Sequence, residues 1–166
     1  MKIRQAKLAD LEEIAAIELE NFSSEEAMDA TVFKKHIEEL TSTFLVAEKD
    51  GQILGYLEGP VTLKRQVDDQ SFTDQIVDEA SKDGGFITIT SLSIAKFAQG
   101  MGVGEKLLEA MKKLAMKEER EGISLTCHDY LLAYYEKYGF VNEGLSASTY
   151  AGEVWYDMVW ENPLAR

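Results

Sequence analysis

Cysteine is nearly absent from this sequence. The 166 residues include one cysteine, Cys127, and only two prolines. A single cysteine excludes an internal disulfide, so we expect a reducing compartment, the cytoplasm. No apolar run approaches the roughly 18 residues of a membrane-spanning helix, and the N-terminal segment MKIRQAKLAD has no signal-peptide core. These features predict a soluble cytoplasmic protein with no membrane partner.

Basic residues are also few. The chain has 17 Lys and Arg against 30 Asp and Glu, a formal net charge of −13. This balance argues against binding to nucleic acid or to an anionic membrane, because both depend on Lys and Arg. Much of the excess is local, since residues 10–39 carry ten acids against two lysines, a net −8. The acids either keep the surface soluble or attract a cationic substrate.

Histidine is scarce as well. His36 and His128 lie far apart, and with one cysteine they predict no metal site. His128 follows Cys127 directly, but adjacent side chains of a strand point to opposite faces, so we expect no nucleophilic thiol–imidazole pair. Cys127 is expected to be a small buried residue. His36 is expected to lie among helix charges without a partner.

What the sequence does contain is a regular alternation of strand and helix patterns. We predict one domain over residues 1–166, with the elements in the order β, α, α, β, β, β, α, β, α, β, β. This order indicates a mixed α/β sheet with helices on its faces. The segment 86–94 (FITITSLSI) is the clearest strand, because it is rich in β-branched residues. Asp50-Gly51 predicts a hairpin turn.

A long polar connection spans residues 62–85. Its periodicity is weak, apart from a possible turn or two of helix near residues 72–80. Connections of this length inside a compact domain are usually functional or mobile.

A glycine-rich turn, Gln99-Gly100-Met101-Gly102-Val103-Gly104, follows the predicted strand 86–94. It opens an amphipathic helix predicted to run to about Glu121, where Gly122 would stop it. Backbone N–H groups at a helix N-terminus attract anions, which makes the turn a candidate phosphate site. A plain tight turn is the alternative. The sequence lacks G-x-x-x-x-G-K-[ST], and a dinucleotide fold would place its glycines after the first strand.

Two segments carry a family resemblance. The stretch 92–104, with Gln99-Gly100-Met101-Gly102-Val103-Gly104, resembles the [QR]-x-x-G-x-[GA] acetyl-CoA signature of the GNAT N-acetyltransferases. The stretch 134–140 (YYEKYGF) is similar to their second hallmark, [FY]-Y-x-K-x-G-F. Within the family, residues 127–135 and the tail through Met158 look most similar to the arylalkylamine branch, which includes serotonin N-acetyltransferase.

The resemblance implies the GNAT acyl-CoA N-acyltransferase fold, an α/β fold whose central mixed sheet has splayed strands and is flanked by helices. The strands ending at Ile94 and Cys127 would open a wedge for the pantetheine arm. Acetyl-CoA would be the cosubstrate, with no metal. The residues implied to bind it are Leu92, Ser93, Ile94, Gln99, Gly100, Met101, Gly102, Val103, Gly104, Glu105 and Tyr135.

Tyr135 also matches the family tyrosine that lies near the thioester sulfur. A phenol has a pKa near 10 and a thiolate roughly 8.5, so Tyr135 is expected to give a proton to the leaving thiolate. A purely structural aromatic residue is the alternative.

The family resemblance is incomplete at the position of the general base, the group that would take a proton from the amine. Arylalkylamine acetyltransferases carry paired histidines where this chain has Thr88 and Thr90. A threonine hydroxyl accepts no proton near neutral pH, so at most the two would contact substrate or order waters leading to Glu20, Glu25 or Glu58. The alternative is that both are ordinary strand residues.

The acidic segment 20–29 joins the first two helices, which in this family cover the acceptor entrance. Glu25 and Glu26 are therefore candidate substrate-binding residues. Direct acetyl transfer to a small cationic amine, such as a polyamine or an arylalkylamine, is the predicted function. The alternatives are a protein N-terminal or lysine acetyltransferase, a noncatalytic acyl-CoA-binding or regulatory domain, and a nucleotide-binding module. The chain would act as a monomer or a homodimer. Phe22, Phe33, Tyr150 and Trp155 either line the pocket or pack in the core.

Overall fold

The computed structural model describes residues 1–165, which form nine strands and four α-helices. The strands are β1 (Lys2–Gln5), β2 (Phe44–Lys49), β3 (Gln52–Glu58), β4 (Val61–Thr62), β5 (Phe86–Ile89), β6 (Ser91–Ile94), β7 (Gly122–Cys127), β8 (Val141–Leu145) and β9 (Tyr156–Glu161). The helices are α1 (Leu11–Asn21), α2 (Ala30–Glu39), α3 (Val103–Lys117) and α4 (Leu132–Lys137). Within residues 1–165, no helix is long and apolar enough to cross a membrane.

The strands form two sheets, in the orders β1-β2-β3-β6 and β4-β5-β7-β9-β8. All neighbours are antiparallel except β5 and β7, which are parallel. Helices α1 and α3 both pack on β3 and β6, over a core of fully buried side chains that includes Tyr56, Leu57 and Met111. The expected mixed α/β fold with helices on an open sheet is confirmed.

The predicted strand 86–94 divides between the two sheets at Thr90. Its first half, β5, pairs with β7, and its second half, β6, pairs with β3. Beyond Thr90, therefore, β6 and β7 lie in different sheets and leave a wedge between them. This is the splay that the resemblance implies at Ile94 and Cys127.

The local signal for the hairpin is confirmed. Asp50 and Gly51 both have positive φ, 51° and 79°, as a type I′ turn between β2 and β3 requires. Asp29 caps α2, because its carboxylate accepts a hydrogen bond from the Val32 N–H at 3.0 Å.

Two local predictions were wrong. Residues 72–80 contain no α-helix; the connection has one short 3₁₀ turn, Asp69–Phe72, and its carbonyls at Ala80, Lys82 and Gly84 accept hydrogen bonds from the Arg120 guanidinium. Helix α3 ends at Lys117 instead of Glu121, since Glu119 adopts φ 58°. Gly122 begins β7, where a Cβ would lie 2.2 Å from the Trp160 carbonyl oxygen.

Candidate active site

Two cavities meet in the wedge between β6 and β7. The larger, here the large cleft, measures about 700 Å³ and runs from β6 past the glycine turn to α4. The smaller, here the small cavity, measures about 70 Å³ and lies between β6, β7 and the segment that joins α1 to α2. Both are lined by Phe22, Leu92, Leu131 and Tyr135. A molecule lying in the large cleft would therefore reach the small cavity at Tyr135.

Most of the residues that the sequence predicts to bind the cofactor line the large cleft. Leu92, Ser93, Ile94, Gln99, Gly100, Gly102, Val103, Gly104, Glu105 and Tyr135 line it. Met101 is half-exposed and does not.

Strand β6 presents to the large cleft backbone groups that are not paired with β3. Ala95 N–H donates to Leu54 O at 2.8 Å, and the antiparallel register continues with Ser93 opposite Tyr56. Hydrogen-bonded residues alternate in such a ladder, so the backbone groups of Leu92 and Ile94 point away from β3. Ile94 O indeed accepts a hydrogen bond from the Asn21 side chain at 2.8 Å. The edge suits an extended amide chain such as pantetheine.

The glycine turn shapes the start of α3. Gly100 and Gly102 have φ of 82° and 76°, which favours glycine. The first helical hydrogen bond runs from Lys106 N–H to Gly102 O, which leaves earlier N–H groups for an anion. Gly104 is required for space, because a Cβ there would lie 2.2 Å from the Tyr134 hydroxyl oxygen. The turn fits a pyrophosphate held by backbone amides.

Tyr135 lies on α4 where the two cavities join. It is only 7% exposed and packs edge-on against Tyr134 and Phe140, with ring centroids 5.1 and 5.7 Å away. Burial raises the pKa of Tyr135 well above its ordinary value, so the phenol is neutral and keeps its proton. Cys127 is buried as expected, and burial raises the pKa of its thiol to about 12.

Glu18 supplies a buried carboxyl to the small cavity. The side chain lies on α1 and is 2% exposed. It accepts hydrogen bonds from the Tyr56 hydroxyl at 2.5 Å, the Ser91 hydroxyl at 2.8 Å and the Met28 N–H at 3.0 Å. Burial raises the pKa of Glu18 above its usual value despite these three donors. In the sequence Glu18 is one of ten acids in residues 10–39, and no local pattern marks it as a site residue.

A second carboxylate, Glu26, lies at the rim of the small cavity. Its Oε1 is 3.1 Å from Nε2 of His128. The His128 ring stacks on Trp155 and on Tyr130, with centroids 4.3 and 5.3 Å apart. The Tyr150 hydroxyl donates to the Glu26 carbonyl oxygen at 2.7 Å. Phe22, Tyr150 and Trp155 line this cavity, whereas Phe33 is fully buried in the core.

Of the other candidate substrate residues, only one lines the small cavity. Thr90 lines the small cavity, but Thr88 does not; its hydroxyl donates to Pro60 O at 2.9 Å. Glu25 and Glu20 are exposed and line neither cavity.

The prediction that His36 lies unpartnered among helix charges was wrong. The ring is fully buried, with Nδ1 3.0 Å from Glu58 Oε2 and Nε2 3.0 Å from Thr73 O. Burial by itself would lower the pKa of His36, but the Glu58 carboxylate and the Thr73 carbonyl outweigh burial and raise it. Glu58, also fully buried, accepts the Thr90 hydroxyl at 2.6 Å. Periodicity missed this group because its members come from α2, β3, the 62–85 connection and the β5–β6 junction.

A strand edge facing the cleft, a helix start with free N–H groups and a small pocket meet at one tyrosine, an arrangement that suits an acyl-CoA-dependent transferase. A family model described as the acetyltransferase (GNAT) domain matches residues 8–161. The chain therefore belongs to the GNAT acetyltransferase family, and it is an acetyl-CoA-dependent N-acetyltransferase.

Solved structures share the fold at low identity. The GphF GNAT-like decarboxylase in complex with isobutyryl-CoA is 14% identical with a TM-score of 0.83, over 98% of this chain and 100% of that one. Ard1 from Thermoplasma volcanium is 18% identical with a TM-score of 0.73, over 96% of each chain. Ribosomal-protein-alanine N-acetyltransferase from Brucella melitensis is 19% identical with a TM-score of 0.68, over 97% and 99%. The curated proteins contain no significant match.

Proposed function

We propose that this protein transfers the acetyl group of acetyl-CoA directly to the primary amine of a small cationic acceptor. One observation carries the proposal: the small cavity that meets the large cleft at Tyr135 is lined by two carboxyl groups, Glu18 and Glu26, and by no Lys or Arg among the described residues. Carboxylates attract a protonated amine and repel an anionic acceptor.

The proposed cofactor contacts lie in the large cleft. Bound acetyl-CoA supplies an acetyl group activated as a thioester. The backbone of Leu92 and Ile94 would hold the pantetheine amides as an added strand. The N–H groups at the start of α3, with Lys137 on the facing wall of the cleft, would hold the phosphates.

Glu18 and Tyr135 are the proposed proton-transfer residues. An ammonium must lose a proton before it attacks, and a carboxyl whose pKa is raised by burial is a better acceptor at neutral pH than an ordinary glutamate. Tyr135, whose phenol stays neutral, would donate its O–H to the leaving thiolate sulfur. The raised pKa of Tyr135 favours hydrogen bonding over complete proton loss, so the thiolate is neutralised by the proton that the attacking nitrogen loses on acylation.

The acceptor class follows from the walls of the small cavity. Phe22, Tyr150 and Trp155 offer apolar ring faces beside the carboxylates. This combination supports an arylalkylamine, in line with the resemblance to that branch, while a polyamine would use the carboxylates alone. We propose that the protein works in the reducing cytoplasm as a single domain, either monomeric or homodimeric.

Protein N-termini are the second candidate acceptor. Two of the structures that share the fold are named as Ard1 and as a ribosomal-protein-alanine N-acetyltransferase. An N-terminal peptide also brings a cationic amine, but it needs room beyond its first residue. The volume of about 70 Å³ holds the amine end of either acceptor, so a panel of acceptors is needed to distinguish a small amine from a peptide N-terminus.

The test is release of free thiol from acetyl-CoA with a panel of arylalkylamines, polyamines and peptide N-termini. We expect turnover with the small amines and none without an amine. Tyr135→Phe should lower kcat by about tenfold or more while acetyl-CoA binding changes little, because the lost O–H acts on the leaving group. Tyr156→Phe, whose tyrosine lines neither cavity, is the control. Acetyl-CoA binding without turnover of any amine would instead indicate a noncatalytic acyl-CoA-binding domain, and an unchanged kcat for Tyr135→Phe would remove Tyr135 from the mechanism.

A further inference from the structure

The buried group Thr90, Glu58 and His36 has no role in the proton transfers proposed above. Glu58 and His36 are both fully buried. Burying a carboxylate is costly, and apolar residues of similar size often stabilise a core as well as a buried ion pair does. The hydrogen bonds of the group end at the hydroxyl of Thr90, a residue that lines the small cavity. A function at that wall would account for the buried charge.

The hydrogen-bond partners of His36, Glu58 and Thr90 indicate which of their atoms donate and which accept. Thr73 O is a carbonyl and only accepts, so His36 Nε2 carries a hydrogen. His36 Nδ1 faces both carboxylate oxygens of Glu58, at 3.1 and 3.0 Å, and the two side chains share one proton there. Glu58 Oε1 remains an acceptor, and the single O–H of Thr90 points to it at 2.6 Å, since the other acceptor within reach, the Glu58 carbonyl oxygen, is farther away at 3.2 Å.

The direction of the Thr90 hydroxyl decides what the cavity offers a substrate. A threonine hydroxyl has one hydrogen and two lone pairs. Because Glu58 takes the hydrogen, Thr90 has only lone pairs left for the cavity. Among the described residues no N–H or O–H donates to the Thr90 Oγ1, so these lone pairs are available. They select a ligand that brings a hydrogen-bond donor.

We propose that the buried Glu58–His36 pair is a positioning device that fixes Thr90 as a hydrogen-bond acceptor for the N–H of the acceptor amine. This inference rests on the proposed function, since it concerns how the same cavity orients its amine. Thr90 contacts the substrate, whereas Glu58 and His36 act through Thr90. The device favours an amine over an alcohol or thiol of similar shape, because a neutral amine that directs its lone pair at the thioester still has an N–H for Thr90. An alcohol attacking through its oxygen has one hydrogen, which the base must take.

The test is a set of four variants assayed by thiol release with the best amine of the panel. Thr90→Val removes the hydroxyl at nearly constant shape, and we expect kcat/KM for the amine to fall about tenfold, the scale of one hydrogen bond. Thr90→Ser keeps the hydroxyl and should recover most of the loss. Glu58→Met leaves the Thr90 hydroxyl only the more distant carbonyl oxygen of residue 58, at 3.2 Å, so the hydroxyl can turn and kcat/KM should also fall. Glu58→Gln can still accept from Thr90 with its oxygen and donate to His36 Nδ1 with its amide, so it should retain most of the activity.

A double-variant cycle separates positioning from general damage. In the Thr90→Val background, Glu58→Met should lower kcat/KM for the amine little further, because both changes remove the same interaction. Thr88→Val is the matched control: it removes a buried hydroxyl two residues away that does not line the cavity. It should leave the KM for the amine within about twofold. Acetyl-CoA binding, measured by calorimetry, should be similar in all variants and checks that each one folds.

The outcomes are distinguishable. A wild-type protein that acetylates no amine overturns the proposed function and this inference together. If the wild type is active and Thr90→Val matches it, only the positioning role is wrong. If Glu58→Gln loses as much activity as Glu58→Met, Glu58 acts as a proton acceptor. That result also overturns the positioning role. If Glu58→Met does not fold, the comparison of Thr90→Val with Thr90→Ser still decides whether the hydroxyl is used.

Discussion

At the residue scale, the environment of Glu18 links its chemistry to pH. The side chain accepts the amine proton only when it is ionised, and burial raises its pKa above that of an exposed glutamate. The active fraction therefore grows as pH rises through the raised pKa. We expect kcat/KM for the amine to show an acidic limb at higher pH than an ordinary glutamate would give, because kcat/KM reports groups of the free enzyme and free substrate.

Glu18→Gln should remove this limb and lower kcat/KM by about 10²–10⁴-fold, the usual contribution of a general base. The ionisation of the amine itself adds a second, more alkaline limb, which the variant should keep. Glu20→Gln neutralises an exposed carboxylate on the same helix and serves as control. If Glu18→Gln retains the lower limb, that limb belongs to another group and Glu18 is not the proton acceptor.

Some of these site residues could be predicted from the sequence and others could not. The glycine turn and Tyr135 belong to contiguous motifs, so their placement along the large cleft was predictable. Glu18 and Glu58 are ordinary acids in the sequence, and their hydrogen-bond partners lie far along the chain; Ser91 is 73 positions from Glu18 and Thr90 is 32 from Glu58. Only the fold gives them burial and partners, and no local pattern encodes either property.

At the element scale, the start of α3 depends on a close approach between Gly104 and Tyr134. A Cβ at position 104 would meet the Tyr134 hydroxyl oxygen at 2.2 Å, and the next ring atom only at 3.5 Å. Gly104→Ala should therefore push Tyr134 into the large cleft and weaken coenzyme A binding. Removing the clashing oxygen with Tyr134→Phe should restore most of the affinity, because 3.5 Å is an ordinary contact.

Calorimetric titration of coenzyme A into the two single variants and the double variant measures this effect. We expect Gly104→Ala to bind about tenfold or more weakly, which is 1.4 kcal/mol, and the double variant to bind close to Tyr134→Phe. Equal weakening in Gly104→Ala and in the double variant would mean that the alanine acts on the backbone amides and not through Tyr134.

The split of strand 86–94 shows why pairing was harder to predict than the strand itself. Its β-branched composition indicated extended backbone throughout, and residues 86–89 and 91–94 are indeed strands. The change of partner at Thr90, from β7 to β3, depends on elements remote in sequence. That change places Thr90 and Ser91 side by side, where they donate to Glu58 and Glu18 respectively. The junction therefore engages two buried carboxyl groups: Glu18 lines the small cavity, and Glu58 lies behind Thr90.

At the scale of the whole molecule, the acidic excess divides into groups with different roles. Asp10 forms an ion pair with Arg4 at 2.8 Å, and Glu39 pairs with Lys35 at 3.1 Å. Glu18 is buried. The net −8 of residues 10–39 therefore does not all face an incoming amine. Besides Glu18, only Glu26 of this segment's acids lines the small cavity, and Glu25 is its exposed neighbour in sequence.

Glu25→Gln/Glu26→Gln tests whether these two charges steer the acceptor. Removing them should raise the KM for a cationic amine several-fold at low salt, because charges near the cavity attract over a Debye length of about 10 Å at 0.1 M. The difference from wild type should shrink as salt is added, and the KM for anionic acetyl-CoA should not rise. Glu38→Gln/Glu39→Gln removes the same number of charges from α2 outside both cavities. An equal rise in that control would assign the effect to total charge, and an unchanged KM in the Glu25/Glu26 variant for every active amine would show that the rim does not steer.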